Sequence, residues 1–199
     1  MSTGYLELIA GPMFSGKTSL LLQLHKQFSF CNIPMLVINY AEDTRYSTQL
    51  LSSHDKVMIP CTLATALLDV ADLRPGLGPA FAMATSNATF NAAFNAAQVI
   101  LINEGQFFKD IVEWTKLAVE QYNKRVYICG LDGDFQRERF GRWLELIPFC
   151  DKFTKLHSFC SICKVKPAIF SRRLGAETAQ KMIGADNYLP LCRGCYLVD

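Results

Sequence analysis

Eight residues near the N-terminus, Gly11-Pro-Met-Phe-Ser-Gly-Lys-Thr18, constrain this chain more than any other feature. They fit the pattern G-x-x-x-x-G-K-[ST] in full. An apolar run, Tyr5 to Ala10, precedes them, and Leu20, Leu21, Leu24 and Phe28 follow at helical spacing. Strand, glycine-rich turn and helix in that order make a cradle for phosphate. The glycines let the backbone close on an anion, and the loop through Gly11, Met13, Phe14, Ser15 and Gly16 offers successive N–H groups to it. The helix dipole favours negative charge at the same point. Lys17 then reaches the β- and γ-phosphates, and the Thr18 hydroxyl faces a Mg²⁺ ion. The competing reading is a plain strand–turn–helix corner with a chance lysine. The flanking strand and helix weigh against it.

The rest of the chain continues that rhythm. Met35–Asn39, Gln98–Asn103 and Arg125–Gly130 are apolar runs expected as strands of a sheet covered on both faces. Val57–Ile59 is a weaker strand. Helices are expected over Leu63–Leu73 and Ile111–Tyr122, the second with Ile111, Trp114, Leu117 and Ala118 on one face. Alternating strands and helices predict a parallel α/β sheet. Half of the 199 residues are apolar and 19% are charged, which suits a folded core and argues against disorder. A net charge of +2 gives no broad basic surface for nucleic acid or membrane. No basic stretch followed by an apolar run opens the chain, and no run is long enough to span a bilayer. A cytoplasmic, reducing setting is therefore expected. Gly76–Ala97, rich in Ala and Asn, interrupts the pattern and is expected as an insertion, a peripheral loop partly helical near Thr89–Ala97. From Cys150 onward the alternation stops. The expected division is a nucleotide-binding α/β domain over residues 1–149 and a small annex over residues 150–199.

A second apolar strand ending in an acid is the usual metal-side partner of a phosphate loop. Here Val99–Ile102 runs into Asn103 and then Glu104. Asn103 can accept a hydrogen bond from a Mg²⁺-bound water, without the strengthening charge of a carboxylate. Glu104 stands where the strand end faces the ligand crevice, and is a candidate general base. A solvated strand-end acid is the alternative. In the annex, Cys160-Ser-Ile-Cys163 and Cys192-Arg-Gly-Cys195 are two C-x-x-C knuckles. Together they can form a closed tetrahedral site for structural zinc, which would hold a tail too short to fold by burial alone. Two disulfides or a redox dithiol are the alternatives. A reducing compartment disfavours the first and the duplicated pair the second. Cys31, Cys61, Cys129 and Cys150 lack such spacing and are expected as small buried hydrophobes.

These motifs, with several between them, closely resemble the cellular-type (type II) thymidine kinases. The resemblance runs through Gly11–Thr18, Tyr40-Ala-Glu-Asp-Thr-Arg-Tyr46, Glu104-Gly-Gln-Phe-Phe108, Leu131–Arg137, Phe140-Gly141, Arg173-Leu-Gly175, Gly184–Tyr188 and both Cys pairs. It implies a RecA-like P-loop sheet domain with a C-terminal zinc-ribbon unit carrying a flap, the lasso, across roughly Lys166–Tyr188. It implies transfer of the γ-phosphate of ATP to the 5′-hydroxyl of thymidine, or of deoxyuridine, with Glu104 as base. Asp43, Arg45 and Gln106 match polar residues near the transferred phosphate and the substrate. Met13, Phe107, Leu131, Phe135, Phe140 and Tyr188 match the enclosure of the nucleoside, and Ser171, Arg173, Met182 and Ile183 match the flap side. The family further implies a homotetramer and inhibition by thymidine triphosphate.

Read without the family, Phe107, Phe135 and Phe140 suit a core as well as a base-stacking wall. Arg137, Arg139, Arg142 and Arg173 can clamp phosphates, and a solvated face is an equal reading for Arg139 and Arg142. A P-loop ATPase holding nucleic acid through its Cys knuckles is the rival function, and the moderate charge of the tail speaks against it. A degenerate kinase-like subunit would rest on Asn103 alone, against an intact Lys17, Thr18 and Glu104.

Overall fold

The computed structural model describes residues 3–42, 50–52, 58–73, 88–181 and 187–198. Along the chain the elements are β1 (Tyr5–Ala10), α1 (Lys17–Phe30), β2 (Met35–Tyr40), β3 (Leu50–Ser52), β4 (Met58–Pro60), β5 (Thr62–Ala64) and α2 (Ala88–Ala96). Then follow β6 (Val99–Ile102), α3 (Ile111–Glu120), β7 (Arg125–Gly130), β8 (Lys152–Lys155), β9 (Ser158–Phe159), β10 (Pro167–Ala168), β11 (Phe170–Arg173), β12 (Tyr188–Leu191) and α4 (Arg193–Val198).

Six strands form one sheet in the order β5-β2-β6-β7-β1-β8, and every neighbouring pair is parallel. The strands are apolar at consecutive positions because both faces are covered. Leu6, Leu8 and Ala10 point to the side packed by α3, while Ile9 points to the side packed by α1 through Leu21, Leu22 and Phe28. The register pairs Ala10 with Gly130, Ile102 with Ile128 and Ile38 with Ile102. The ends of β1, β2, β6 and β7 are thus nearly level. Their following turns emerge on one edge, where open α/β sheets bind ligands.

Three expectations change. Leu63–Leu73 is not a helix. Thr62–Ala64 is an edge strand on β2, and only Leu67–Asp69 makes a single 3-10 turn. The Ala64 carbonyl is taken by the Ala41 N–H, the Leu68 N–H by the Asp110 carboxylate, and the Ala71 carbonyl by Trp114 Nε1. Tertiary partners thus take the groups that a helix would pair internally. Second, the expected peripheral insertion is tied into the core. Residues 74–87 lie outside the described residues, but Phe94 of α2 is buried edge-on against Trp114 and Tyr122. Lys124 Nζ donates to the Asn95 and Ala97 carbonyls, a cation at the C-terminal end of α2 where the helix dipole favours one. Third, Cys31 is exposed rather than core, and Cys61 and Cys150 are half-buried; Cys129 alone of that group is buried.

β8 belongs to the main sheet, parallel beside β1. Beyond it, β9 pairs with β10 and β11 with β12, both antiparallel, over a small core of Cys160, Ala168, Leu191 and Cys192. β11 ends at Arg173, which pairs with Tyr188 at the start of β12, so the segment between them, the expected strap of the lasso, has its two ends side by side. No helix among the described residues is long and apolar enough to cross a membrane.

Candidate active site

Residues 11–16 of the glycine-rich motif join β1 to the start of α1 at Lys17. Gly16 is the N-cap of α1 at φ 83°, in the left-handed region, and gives no side-chain cap. A helix N-terminus without a side-chain cap suits an anion. Phe14 is also left-handed, at φ 62°. The Ser15 hydroxyl is enclosed without a hydrogen-bond partner, the state expected of a donor whose acceptor is a bound phosphate. Lys17 Nζ lies back across the loop on the Pro12 carbonyl at 2.7 Å.

Asn103 ends β6 directly beneath this loop and is 2% exposed. Its Oδ1 accepts from Thr18 Oγ1 at 3.4 Å and from Cys129 Sγ at 3.0 Å, while its Nδ2 donates to Asn39 Oδ1 at 2.8 Å. Burial, helped by the Glu104 charge and opposed by Lys17, pushes the Cys129 thiol up to about 12, so it remains a donor. The contact of Asn103 with Thr18 fits a Mg²⁺ ion held by the Thr18 hydroxyl, with the amide steadying it.

Glu104 follows at φ 56°, ψ 44°, a left-handed conformation that costs a non-glycine residue roughly 1–2 kcal/mol. Its Oε2 takes the Gln106 amide at 2.6 Å, and Gln106 Oε1 takes the Leu131 N–H at 3.0 Å. Gln106 therefore ties the turn after β6 to the turn after β7. Gly141 makes that possible. It sits at φ 66°, and a Cβ there would lie 2.1 Å from the Gln106 carbonyl oxygen.

An aromatic wall stands beside these groups. Tyr40 contacts Phe107 at 4.9 Å between centroids, and Phe107 meets Phe140 edge-on at 5.4 Å. Phe140 is buried and Phe107 half-buried, so the wall is continuous with the main core. Of the two readings of these rings, packing with the core is the one seen for Phe107 and Phe140. The lasso side is joined to the loop by Ser171, whose Oγ accepts the Met13 N–H at 2.8 Å. Arg173 spends its donors on the strap: Tyr188 Oη at 2.7 and 3.1 Å and the carbonyls of Glu177, Ala179 and Gln180 at 2.6–3.1 Å. Its guanidinium also stacks 3.9 Å from the Phe135 ring centroid. Arg137 stacks on Tyr196, and Arg139 and Arg142 pair with Glu145 and Glu113 on a solvated face. Asp43, Arg45, Met182 and Ile183 lie outside the described residues.

Two further ties went unseen in the sequence. Gln180 Nε2 donates to Asp134 Oδ2 at 2.7 Å, and Lys181 Nζ bonds both Glu42 and Tyr40 Oη. Glu42 lies inside a motif quoted above, yet nothing in sequence links residues so far apart.

In the annex the four knuckle sulfurs lie within 4.8 Å of one another, and Cys163 and Cys192 are 3.8 Å apart. A tetrahedron with arms of about 2.3 Å has edges of about 3.8 Å, so the spacing fits zinc. Burial works to raise the Cys160 thiol, but backbone N–H groups of Cys192, Cys163 and Ile162 outweigh it and draw it down to about 6. Burial and the other sulfurs push Cys195 up to about 12.

Comparison with known proteins gives the family. The sequence profile of the family described as thymidine kinase matches residues 4–75 and 78–196. The chain is 39% identical to the cytosolic thymidine kinase of Homo sapiens over 194 residues, 97% of this chain and 73% of that protein. It is 38% identical to the cytosolic enzyme of Gallus gallus, covering 97% and 77%, and 38% identical to the thymidine kinase of Variola virus, covering 99% of each. A family match over nearly the whole chain, with relatives at 38–39% identity, shows that the chain belongs to the thymidine kinase family.

Proposed function

We propose that Glu104 is the general base in the ATP-dependent phosphorylation of thymidine, the activity of the family to which the chain belongs. The observation that supports it is the placement of Glu104: a strained strand-end carboxylate, joined through Gln106 to Leu131, on the same sheet edge as the phosphate loop. ATP supplies the phosphoryl group, and a Mg²⁺ ion held at Thr18 would supply charge neutralisation to the phosphates. The loop N–H groups, Ser15 and Lys17 hold the phosphates, and Thr18 faces the metal. The Glu104 carboxylate takes the proton of the thymidine 5′-hydroxyl as that oxygen bonds to the γ-phosphorus and the bond to ADP breaks. Gln106 aims the carboxylate. Met13, Leu131, Phe107, Phe135, Phe140 and Tyr188 enclose base and sugar, and the lasso through Ser171, Arg173, Met182 and Ile183 closes over them, excluding water. Asp43 and Arg45 work at the phosphate side. Cys160, Cys163, Cys192 and Cys195 hold structural zinc with no open position.

Family membership supports three additional features: a cytosolic homotetramer, feedback inhibition by thymidine triphosphate, and deoxyuridine as a second acceptor. The test is a panel of nucleosides with ATP and Mg²⁺, read as monophosphate formed, repeated with Glu104→Gln. Thymidine should be converted by the native chain. The variant should lose transfer by roughly a thousandfold or more while still binding a non-hydrolysable ATP analogue. Turnover retained by Glu104→Gln removes Glu104 from the role of base.

A further inference from the structure

The strap of the lasso is pinned at its far end by two adjacent side chains that reach opposite walls of the site. Gln180 Nε2 donates to Asp134 Oδ2 at 2.7 Å; the other oxygen of that buried carboxylate accepts the N–H groups of Gln136 and Glu138. Asp134 is thus fixed to the turn after β7. Lys181 Nζ reaches the other wall, donating to Glu42 Oε2 at 2.5 Å and to Tyr40 Oη at 2.9 Å. Tyr40 Oη in turn donates to Glu42 Oε1 at 3.0 Å, which closes a three-membered polar ring. The ammonium also stands 4.5 Å from the Tyr40 ring centroid and 5.5 Å from that of Phe107. These are the rings of the aromatic wall. The hydrogen bond from Lys181, then that from Tyr40, hold the Glu42 carboxyl below its usual range.

An ion pair this exposed adds little to global stability. It does decide position. Arg173 folds the strap from inside by gathering its carbonyls, but that fold can swing about the β11–β12 base unless its far end is tied. Lys181 supplies the tie on the β2 side. We infer that Lys181, through Glu42 and Tyr40, is a positioning residue that sets where the strap lies over the nucleoside, and so governs nucleoside affinity while leaving the phosphate side unchanged. This rests on the nucleoside occupying the space between the aromatic wall and the strap.

Charge exchange tests it. Lys181→Glu and Glu42→Lys singly should each raise KM for thymidine about tenfold, with kcat and KM for ATP within about twofold of the native chain. The double exchange, Glu42→Lys with Lys181→Glu, should bring KM for thymidine back to within about threefold. A general loss of fold would move all three constants and would not be rescued. If either single exchange lowers Tm by many degrees, the Lys181→Gln and Glu42→Gln pair replaces it, and equal, non-additive effects on KM are then expected. Single exchanges that leave KM for thymidine unchanged overturn the inference, as does a folded double exchange with no recovery. Hydrogen exchange of residues 174–181 separates this outcome from failure of the functional reading. Faster exchange in the singles and recovery in the double supports the tie even if the native chain phosphorylates no nucleoside, and no change in exchange refutes it.

Discussion

Asn103 sits at the end of β6 with both halves of its amide engaged, the oxygen toward Thr18 and Cys129 and the nitrogen toward Asn39. The sequence shows an amide where the metal-side partner of a phosphate loop is usually an acid. Only the structure shows that a second amide, on the neighbouring strand, receives its N–H. Asn103→Asp places a buried carboxylate next to Thr18, and the Asn39 amide must turn to donate to it. Charge there strengthens the bond to a metal-bound water. The half-saturating Mg²⁺ concentration for thymidine phosphorylation should therefore fall severalfold. The ligand-free variant should also melt lower, since the new carboxylate is desolvated, and should recover when Mg²⁺ and ATP are added. An unchanged Mg²⁺ dependence would sink this account. Glu104 and the loop residues were legible because each lies in a local motif whose chemistry needs neighbours in sequence. The amide pair was not, because β2 and β6 meet only in the sheet.

At the scale of elements, α2 and the lasso carry the consequences. Phe94 is 1% exposed between Trp114 and Tyr122, so Phe94→Ala should cost about 3–5 kcal/mol, read as a lower urea midpoint. A midpoint within experimental error of the native value would return this segment to the periphery. In the lasso, Arg173 makes five hydrogen bonds in a planar fan that an ammonium cannot copy. Arg173→Lys should raise KM for thymidine by about tenfold or more, with ATP binding retained. Equal thymidine KM values would show that the strap keeps its shape without the fan. The apolar spacing across Leu63–Leu73 misled because burial alone gives a helix-like pattern. Which partner takes each backbone group is settled by Asp110 and Trp114, far along the chain. Helix α3 was legible because its burial and its hydrogen bonds are both local.

At the scale of the whole molecule, contacts among the described residues join the annex to the sheet domain: Ser171 on Met13, Tyr196 Oη on the Phe135 carbonyl, Arg173 on the Phe135 ring, Arg137 on the Tyr196 ring, and the ties made by Gln180 and Lys181. Metal at the four sulfurs therefore acts at a distance. Removing it with a chelator should unfold the annex and raise KM for thymidine by at least tenfold, while the nucleotide domain keeps its α/β circular dichroism. Acid should do the same. The metal-bound state needs four thiolates, whereas without metal Cys195 keeps its proton at neutral pH, because burial and the neighbouring sulfurs push its thiol up to about 12, while Cys160 is drawn down to about 6. Protons compete for the sulfurs, so zinc affinity should fall as pH is lowered, and zinc released between pH 8 and 5 can be followed with a colorimetric chelator. Affinity that is flat with pH would exclude thiolate ligation. The sequence by itself determined the phosphate loop, the strand-end glutamate and the four sulfur ligands, because glycine torsion, helix dipole and knuckle spacing act over a few residues. The tertiary structure alone decided that β8 joins the main sheet, that Asn39 faces Asn103, and that Lys181 meets Glu42. Those pairings depend on strand order and on the path of the strap, and no local pattern encodes which distant charge or amide will arrive opposite.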